Sequence, residues 1–188
     1  NHALHLLSHF ERTALPEAPP PRTQAESPLW LAGHIGWLAE YWIGRNPQRA
    51  LGPACPATTV RLSSIEPMAD SWFDPMLVAP GERWRLPLPG YEAIRAYLLQ
   101  TLESTLELLE KVPDSDDALY FYRVALFHED LRCEQLVALA QALGVPLKLP
   151  LPGGMAARDP VLVPATHWLF GSGPEGFAFD VERPAHQV

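Results

Sequence analysis

The sequence contains few cysteines and few lysines. Two cysteines, Cys55 and Cys133, are too few for a disulfide framework or a cysteine-rich zinc site. Its lysines are Lys111 and Lys148, and acidic residues outnumber basic ones by 22 to 14. The net charge of −8 argues against a nucleic acid or an anionic membrane surface as a partner, because both attract clustered Lys and Arg.

Long apolar runs and common catalytic motifs are also absent. No stretch of about 18 apolar residues is long enough to span a bilayer, and no signal peptide opens the chain, so we expect a cytoplasmic protein. The sequence has no glycine-rich phosphate loop, no Gly-x-Ser-x-Gly elbow and no His-Glu-x-x-His pair. What it does have is 47% hydrophobic residues, enough for a buried core.

The 21 prolines divide the sequence into windows where helices can form. They cluster at 16–28, 47–56, 80–89 and 146–164. Apolar residues recur at helical spacing between the clusters, and capping residues stand at the window ends. The pattern predicts helices over 2–14, from Ser27-Pro28 to Asn46, from Gly90-Tyr91 to before Pro113, and from a cap at Asp114 or Ser115 through 119–143 to Gly144. The fold class is therefore all-α, a four-helix bundle with long loops.

The remaining segments are predicted to be irregular. Residues 47–89 contain Trp72, Phe73 and Trp84, so we expect this segment to lie against the bundle. Beyond Pro146, residues 161–163 and 168–170 read as short strands. We therefore expect two parts: a helical bundle over 1–148, and over 149–188 a linker followed by the truncated start of a second domain with irregular and β structure.

Two histidines, His34 and His128, lie within the second and fourth predicted helices on faces that should point inward. A neutral imidazole in a bundle core can bind a divalent metal, and bundles build metal sites from side chains on facing helices. A histidine on an apolar face is, however, more often a core residue that is hydrogen-bonded to a neighbour. The sequence alone leaves both interpretations open.

The residue that shares the helical face of His128 one turn later is Arg132. A guanidinium has no lone pair for a metal, so this helix offers one ligand. Glu129 and Glu134 are the nearby carboxylates that could support the site or substitute for a ligand. Arg132 itself could pair with a carboxylate such as Glu40, or bind an acidic substrate.

Several stretches together resemble one enzyme family. The segment from Ser27 to Glu40, Ser-Pro-Leu-Trp-Leu-Ala-Gly-His-Ile-Gly-Trp-Leu-Ala-Glu, resembles the opening of DinB-like domains found in ergothioneine-synthase-type (EgtB-like) non-haem iron enzymes. His128-Glu129-x-x-Arg132-x-Glu134 falls where that family carries His-x-x-x-His-x-Glu. Residues 176–186 resemble the start of the family's formylglycine-generating-enzyme-like second domain. Residues 41–47 and 83–89 are most similar to the selenoneine-synthase (SenA) branch.

The resemblance implies a DinB-like bundle that supplies iron ligands to an oxygen-dependent enzyme. Such enzymes join sulfur or selenium from a thiol or selenol donor to the imidazole of hercynine. By motif, His34 and His128 match the first two Fe(II)-binding histidines, whereas the third falls at Arg132. This departure implies another divalent metal, a changed chemistry, or a site in which the charge of Arg132 takes the place of the metal.

Three interpretations follow from these patterns. In the first, the chain is the metal-site domain of an iron enzyme that acts on hercynine. This domain alone would be inactive without the second domain, and the sequence does not identify the catalytic residues. In the second, it is a non-catalytic DinB-fold binding protein with a degenerate metal site. In the third, the bundle forms a homodimer through tryptophan-rich surfaces.

Overall fold

The computed structural model describes residues 2–20, 25–149, 153 and 158–188. The chain divides into two compact units, Asn1–Leu147 and Lys148–Val188. Regular structure in the described residues is almost entirely helical, with one small two-stranded sheet. The predicted all-α fold class is therefore confirmed.

The helices begin and end close to the positions that local sequence signals indicate. Ser27 Oγ accepts a hydrogen bond from Trp30 N at 3.1 Å at the start of the second helix, and Ser115 caps the last one in the same way. Gly144 ends the last helix at φ 69°, in the left-handed region that glycine enters without strain. The helices are α1 (His2–Glu11), α2 (Pro28–Ala39), α3 (Ala69–Phe73), α4 (Tyr91–Leu109) and α5 (Asp116–Leu143).

The core of the bundle lies where α1, α2, α4 and α5 meet. Among the described helices of this core, α1 and α2 each contact the other three, and the contacts of α2 with α4 and α5 are the most extensive. Nine of the twelve residues of α2 are buried, so this helix is apolar all round. The largest fully buried side chains of the bundle include Leu6, Leu7, Phe10, Trp30, Leu31, Ile94 and Leu136.

The second helix does not continue to Asn46 as one α-helix. It changes at Glu40 into a π-helical turn, Glu40–Gly44. The carboxylate of Glu40 is buried there and accepts hydrogen bonds from Tyr97 Oη at 2.6 Å, Ser64 Oγ at 2.8 Å and a backbone N–H. This buried carboxylate is fully engaged with α4 and the following loop.

The long segment after α2 packs on the bundle, as expected from its aromatic residues. It contains a 3₁₀ helix (Arg49–Ala54) and the short helix α3. Arg45 donates two hydrogen bonds to the carboxylate of Asp70, at 2.6 and 2.8 Å, and Trp37 Nε1 donates a third at 2.7 Å. These bonds hold the pKa of Asp70 below its usual value, chiefly through the Arg45 guanidinium. They attach α3 to the end of α2.

The second unit contains little regular structure. Strands β1 (Leu169–Phe170) and β2 (His186–Gln187) pair antiparallel, and a 3₁₀ turn, Asp180–Glu182, lies between them. The predicted strand at 161–163 is wrong, because Val161, Leu162 and Val163 form no strand and are largely exposed. A strand needs a paired neighbour, and no described strand lies beside this run.

In the part of the chain that the structure describes, no helix combines the length and the apolar character needed to cross a bilayer.

One contact in the core gives a stability prediction. A Cβ at Gly33 would lie 2.2 Å from Cε1 of Phe73, so the ring packs directly against the backbone of α2. Alanine normally stabilises a helix relative to glycine. We expect Gly33→Ala instead to lower the free energy of unfolding by about 1–3 kcal/mol, because the ring must move. Urea unfolding measures this change.

Gly81→Ala is the matched control, because a Cβ at Gly81 meets no atom within 4 Å. It should leave the unfolding midpoint nearly unchanged. A Gly33→Ala protein that is as stable as the parent would show that the ring of Phe73 does not pack against this glycine.

Candidate functional site

The imidazole of His34 is buried between aromatic rings and a backbone carbonyl. It is 2% exposed and stacks on Trp30 and on Trp37, with ring centroids 4.6 and 5.6 Å away. Its Nδ1 lies 2.9 Å from the carbonyl oxygen of Phe73. Because a carbonyl only accepts hydrogen bonds, Nδ1 carries the proton and Nε2 holds the lone pair. The carbonyl of Phe73 therefore fixes the tautomer of His34, and the two tryptophan rings fix the orientation of its ring.

His128 meets His34 across the interface of α2 and α5. The two ring centroids are 4.8 Å apart and the rings are edge to face, with an interplanar angle of 78°. The structure thus brings together the two histidines that the sequence singled out. The Nδ1 of His128 is buried and has no hydrogen-bond partner among the described residues.

The other nitrogen of His128 accepts a hydrogen bond from Arg132. Arg132 Nε lies 3.0 Å from His128 Nε2, one helical turn away on α5. A guanidinium only donates, so the lone pair of His128 is on Nε2 and its proton is on Nδ1. Burial, followed by the nearby His34 and Arg132, lowers the pKa of His128 to about 2. Burial, followed by the charge of Arg132, lowers the pKa of His34 to about 3.

The carboxylate beside Arg132 is Glu26, not the Glu40 that the sequence suggested. Arg132 Nη1 lies 3.4 Å from Glu26 Oε2 and donates to Gln135 Oε1 at 2.8 Å. Glu26 also forms a close ion pair with Arg83. Glu40 is unavailable because its oxygens bond to Tyr97, Ser64 and the backbone N–H of Ile65.

Arg83 connects this cluster to the aromatic stack. Its Nε donates to the carbonyl of Val78 at 3.1 Å and its Nη2 to that of Pro75 at 3.3 Å. The guanidinium carbon lies 4.2 Å from the ring centroid of Trp30, a cation–π contact. Glu26 and Arg83 were not identified as site residues from the sequence. No local motif marks either one, since they lie in loops and reach the site through chain folding.

The remaining predicted site residues, Glu129 and Glu134, form no metal-binding group with the histidine pair in the described part of the chain. Glu134 is exposed, and Glu129 lines a groove formed by α2, α4 and α5. Across residues 2–20, 25–149, 153 and 158–188, no three His, Cys, Asp or Glu side chains are arranged to hold a metal ion. Neither glutamate therefore completes a three-ligand site with the two histidines.

This arrangement does not fit a bound metal ion. The lone pair of His128 is directed at a guanidinium N–H, and the positive charge of Arg132 would repel a divalent cation. A catalytic zinc or iron centre usually draws on three protein ligands, whereas the described residues bring two imidazoles together. In this structure, Arg132 stands beside the imidazole where a metal would have to bind.

Two known proteins are similar to this chain over most of its length. The chain is similar to hercynine oxygenases. It is 31% identical over 173 residues to the hercynine oxygenase of Mycolicibacterium smegmatis, covering 86% of this chain and 37% of that protein. It is 29% identical over 176 residues to the hercynine oxygenase of Mycolicibacterium thermoresistibile, covering 86% of this chain and 36% of that protein. No family model matches the sequence.

The similarity supports part of what the resemblance implied. The chain spans a little over a third of the length of the curated relatives it matches. The predicted relation to enzymes that act on hercynine is confirmed as a similarity in sequence. The DinB-like identity of the bundle, the second domain after residue 148 and the metal site stay predictions.

The tautomers and pKa values give a second prediction. We expect ¹⁵N NMR to show both imidazoles of His34 and His128 neutral throughout pH 5–8, because their pKa values are lowered to about 3 and about 2. In the unfolded chain they should titrate near the ordinary value of about 6.5. The unfolded state therefore binds more protons below that pH, so stability is present above it and is lost as the pH falls.

His128→Gln is the informative variant, because an amide oxygen can still accept from Arg132 but does not titrate. It should reduce the loss of stability on acidification. A folded-state titration near pH 6.5 for either imidazole would contradict the arrangement described above.

Proposed function

We propose that the protein containing this chain acts on hercynine in an oxidative reaction, and that the bundle is its helical domain. The observation that carries this proposal is the 31% identity to a hercynine oxygenase across 86% of the chain. The adjacency of His34 and His128 on facing helices supports it, since the sequence resemblance matches these two residues to metal-binding histidines of that family.

In its finer form, the proposed reaction joins sulfur or selenium to the imidazole ring of hercynine. A ring C–H bond and the S–H or Se–H bond of a donor are replaced by a C–S or C–Se bond. Two protons and two electrons are released, and dioxygen accepts the electrons. The donor is a thiol or a selenol. By the sequence resemblance, the substrate pocket belongs largely to the second domain, whose start we expect within 149–188.

The geometry of the histidine pair does not favour binding of an Fe(II) cofactor. Ligation by His34 and His128 requires Arg132 to release His128 Nε2 and a further ligand to come from outside the described residues. The proposal is therefore made for the substrate and the type of reaction. The cytoplasmic location and the homodimer stay predictions.

The activity test uses the protein that carries this domain, purified without oxygen and supplied with Fe(II). Hercynine is added with a thiol in one arm and a selenol in the other. We expect hercynine-dependent uptake of dioxygen and a product with sulfur or selenium on the ring, detected by mass spectrometry. Unmethylated histidine serves as the control substrate. Dioxygen uptake that is the same without hercynine in both arms would overturn the proposal.

A second candidate function is a non-catalytic, metal-free binding domain. The observation that favours it is the hydrogen bond from Arg132 Nε to His128 Nε2, which occupies a lone pair that a metal would need. In this alternative the guanidinium of Arg132 replaces the metal as the cation beside the imidazoles. The bundle then keeps its fold without a metal.

The two candidates differ in metal binding by the 188-residue chain. If Arg132 excludes the metal, titration with Co²⁺ should show little binding to the parent chain. Arg132→His should place a third imidazole beside the pair and gain a site for about one ion per chain, visible in the d–d absorption of the metal. Calorimetry gives the stoichiometry.

Leu126→His is the matched control. It adds a histidine at an exposed position of the same helix, two residues before His128 and therefore about 200° around the helix from it, and should gain no comparable site. Stoichiometric binding of Co²⁺ by the parent chain, lost in His128→Ala, would reject the metal-free alternative.

A further inference from the structure

Arg132 lines a cleft of about 390 Å³ on the surface of the bundle. One part of its wall is polar and comes from Glu26, Arg83 and Gln135. The other part is apolar and includes Leu31 and Leu139. The cleft lies next to the histidine pair, because the same guanidinium bonds to His128.

The polar wall carries more positive than negative charge. Arg83 and Arg132 share one carboxylate, that of Glu26. The side chains of Arg83, Glu26 and Arg132 are 9%, 11% and 17% exposed, so water screens their charges poorly. Because the two neighbouring imidazoles are neutral, the cluster keeps one uncompensated positive charge. A charge that is so little exposed to solvent destabilises the fold unless a counter-ion lies beside it.

The uncompensated charge is on Arg132. All three nitrogens of Arg83 donate, to Val78, Pro75 and Glu26. Arg132 instead reaches Glu26 at 3.4 Å, which is longer than the roughly 2.8 Å of a good charge-assisted bond. Its Nη2 donates no hydrogen bond to a described residue. The amide oxygen of Gln135 accepts from Arg132, which leaves the amide N–H₂ of Gln135 as a further donor at the cleft.

We propose that this cleft binds the carboxylate of a small molecule with an apolar body. The guanidinium of Arg132 and the amide of Gln135 donate to the carboxylate, and the walls at Leu31, Leu139 and Ala138 receive the apolar part. A carboxylate supplies the single negative charge that the cluster lacks, and its planar oxygens match a guanidinium. This inference goes beyond the proposed function, since it requires neither a metal nor turnover of hercynine.

The test measures binding of phenylbutyrate to the 188-residue chain by calorimetry at neutral pH. Phenylbutanol has the same apolar body without the charge and should bind at least about tenfold more weakly. Arg132→Gln should remove most of this preference, which a purely structural role would leave intact. Arg123→Gln is the matched control, because Arg123 is also on α5 but pairs with Asp116 away from the cleft. It should keep the preference.

Ala138→Trp provides a second route if Arg132→Gln does not fold. Ala138 is exposed and lines the cleft, so a bulky side chain there should weaken binding of phenylbutyrate without touching either arginine. The proposal is overturned if phenylbutanol binds as tightly as phenylbutyrate, if neither binds, or if Ala138→Trp binds phenylbutyrate like the parent. Displacement by inorganic phosphate at equal concentration would overturn the assignment to carboxylates. Because none of these measurements involves hercynine or dioxygen, they fail or succeed independently of the proposed activity.

Discussion

The site depends on the hydrogen bond from the guanidinium of Arg132 to Nε2 of His128. That bond fixes the tautomer of one imidazole and places a positive charge beside the other. It also positions the guanidinium between two environments, the buried histidine pair and the cleft that contains Glu26. A change at this one side chain would therefore affect the protonation of the pair, its capacity for metal and the charge of the cleft together.

The other imidazole of the site, that of His34, is held in place by packing. Glycine at position 33 lets the ring of Phe73 approach the backbone of α2, and this brings the Phe73 carbonyl to His34. The ion pair between Arg45 and Asp70 secures the same short helix near its start, three residues before Phe73. The loop after α2 thus acts as a fixed part of the site, although it contains little regular structure. Tight packing against rigid helices explains how a loop can orient an imidazole.

The helices could be predicted from the sequence because their signals are local. Ser27 and Ser115 are capping residues next to apolar periodicity, Gly144 marks a helix end, and prolines exclude the segments between. The meeting of His34 and His128 followed from two inward faces on two predicted helices. The π-helical turn at Glu40 was missed, because a local change in helical winding leaves no comparable mark in the sequence.

The partners of Arg132 could not be predicted for a different reason. Glu26 and Arg83 come from loops that are distant in sequence, and their approach depends on how α2 and the segment after it pack. Glu40 was the wrong carboxylate, because burial against α4 gave it other donors. The strand expected at 161–163 was wrong for a related reason, since an apolar run becomes a strand only when another strand pairs with it. Contacts within one turn of a helix can thus be predicted from the sequence, whereas contacts between loops that are distant in sequence cannot.

The similarity to hercynine oxygenases is the basis of the proposed reaction, whereas the hydrogen bond from Arg132 to His128 Nε2 disfavours a metal ion beside that imidazole. By the sequence resemblance, Arg132 lies where the family has a third histidine. Anomalous diffraction from crystals of the chain grown with Co²⁺ shows directly whether Arg132 excludes a metal ion. We expect no anomalous peak beside His128 Nε2 and density for the guanidinium of Arg132 in its place. A peak about 2.1 Å from that nitrogen, with Arg132 displaced, would contradict this expectation.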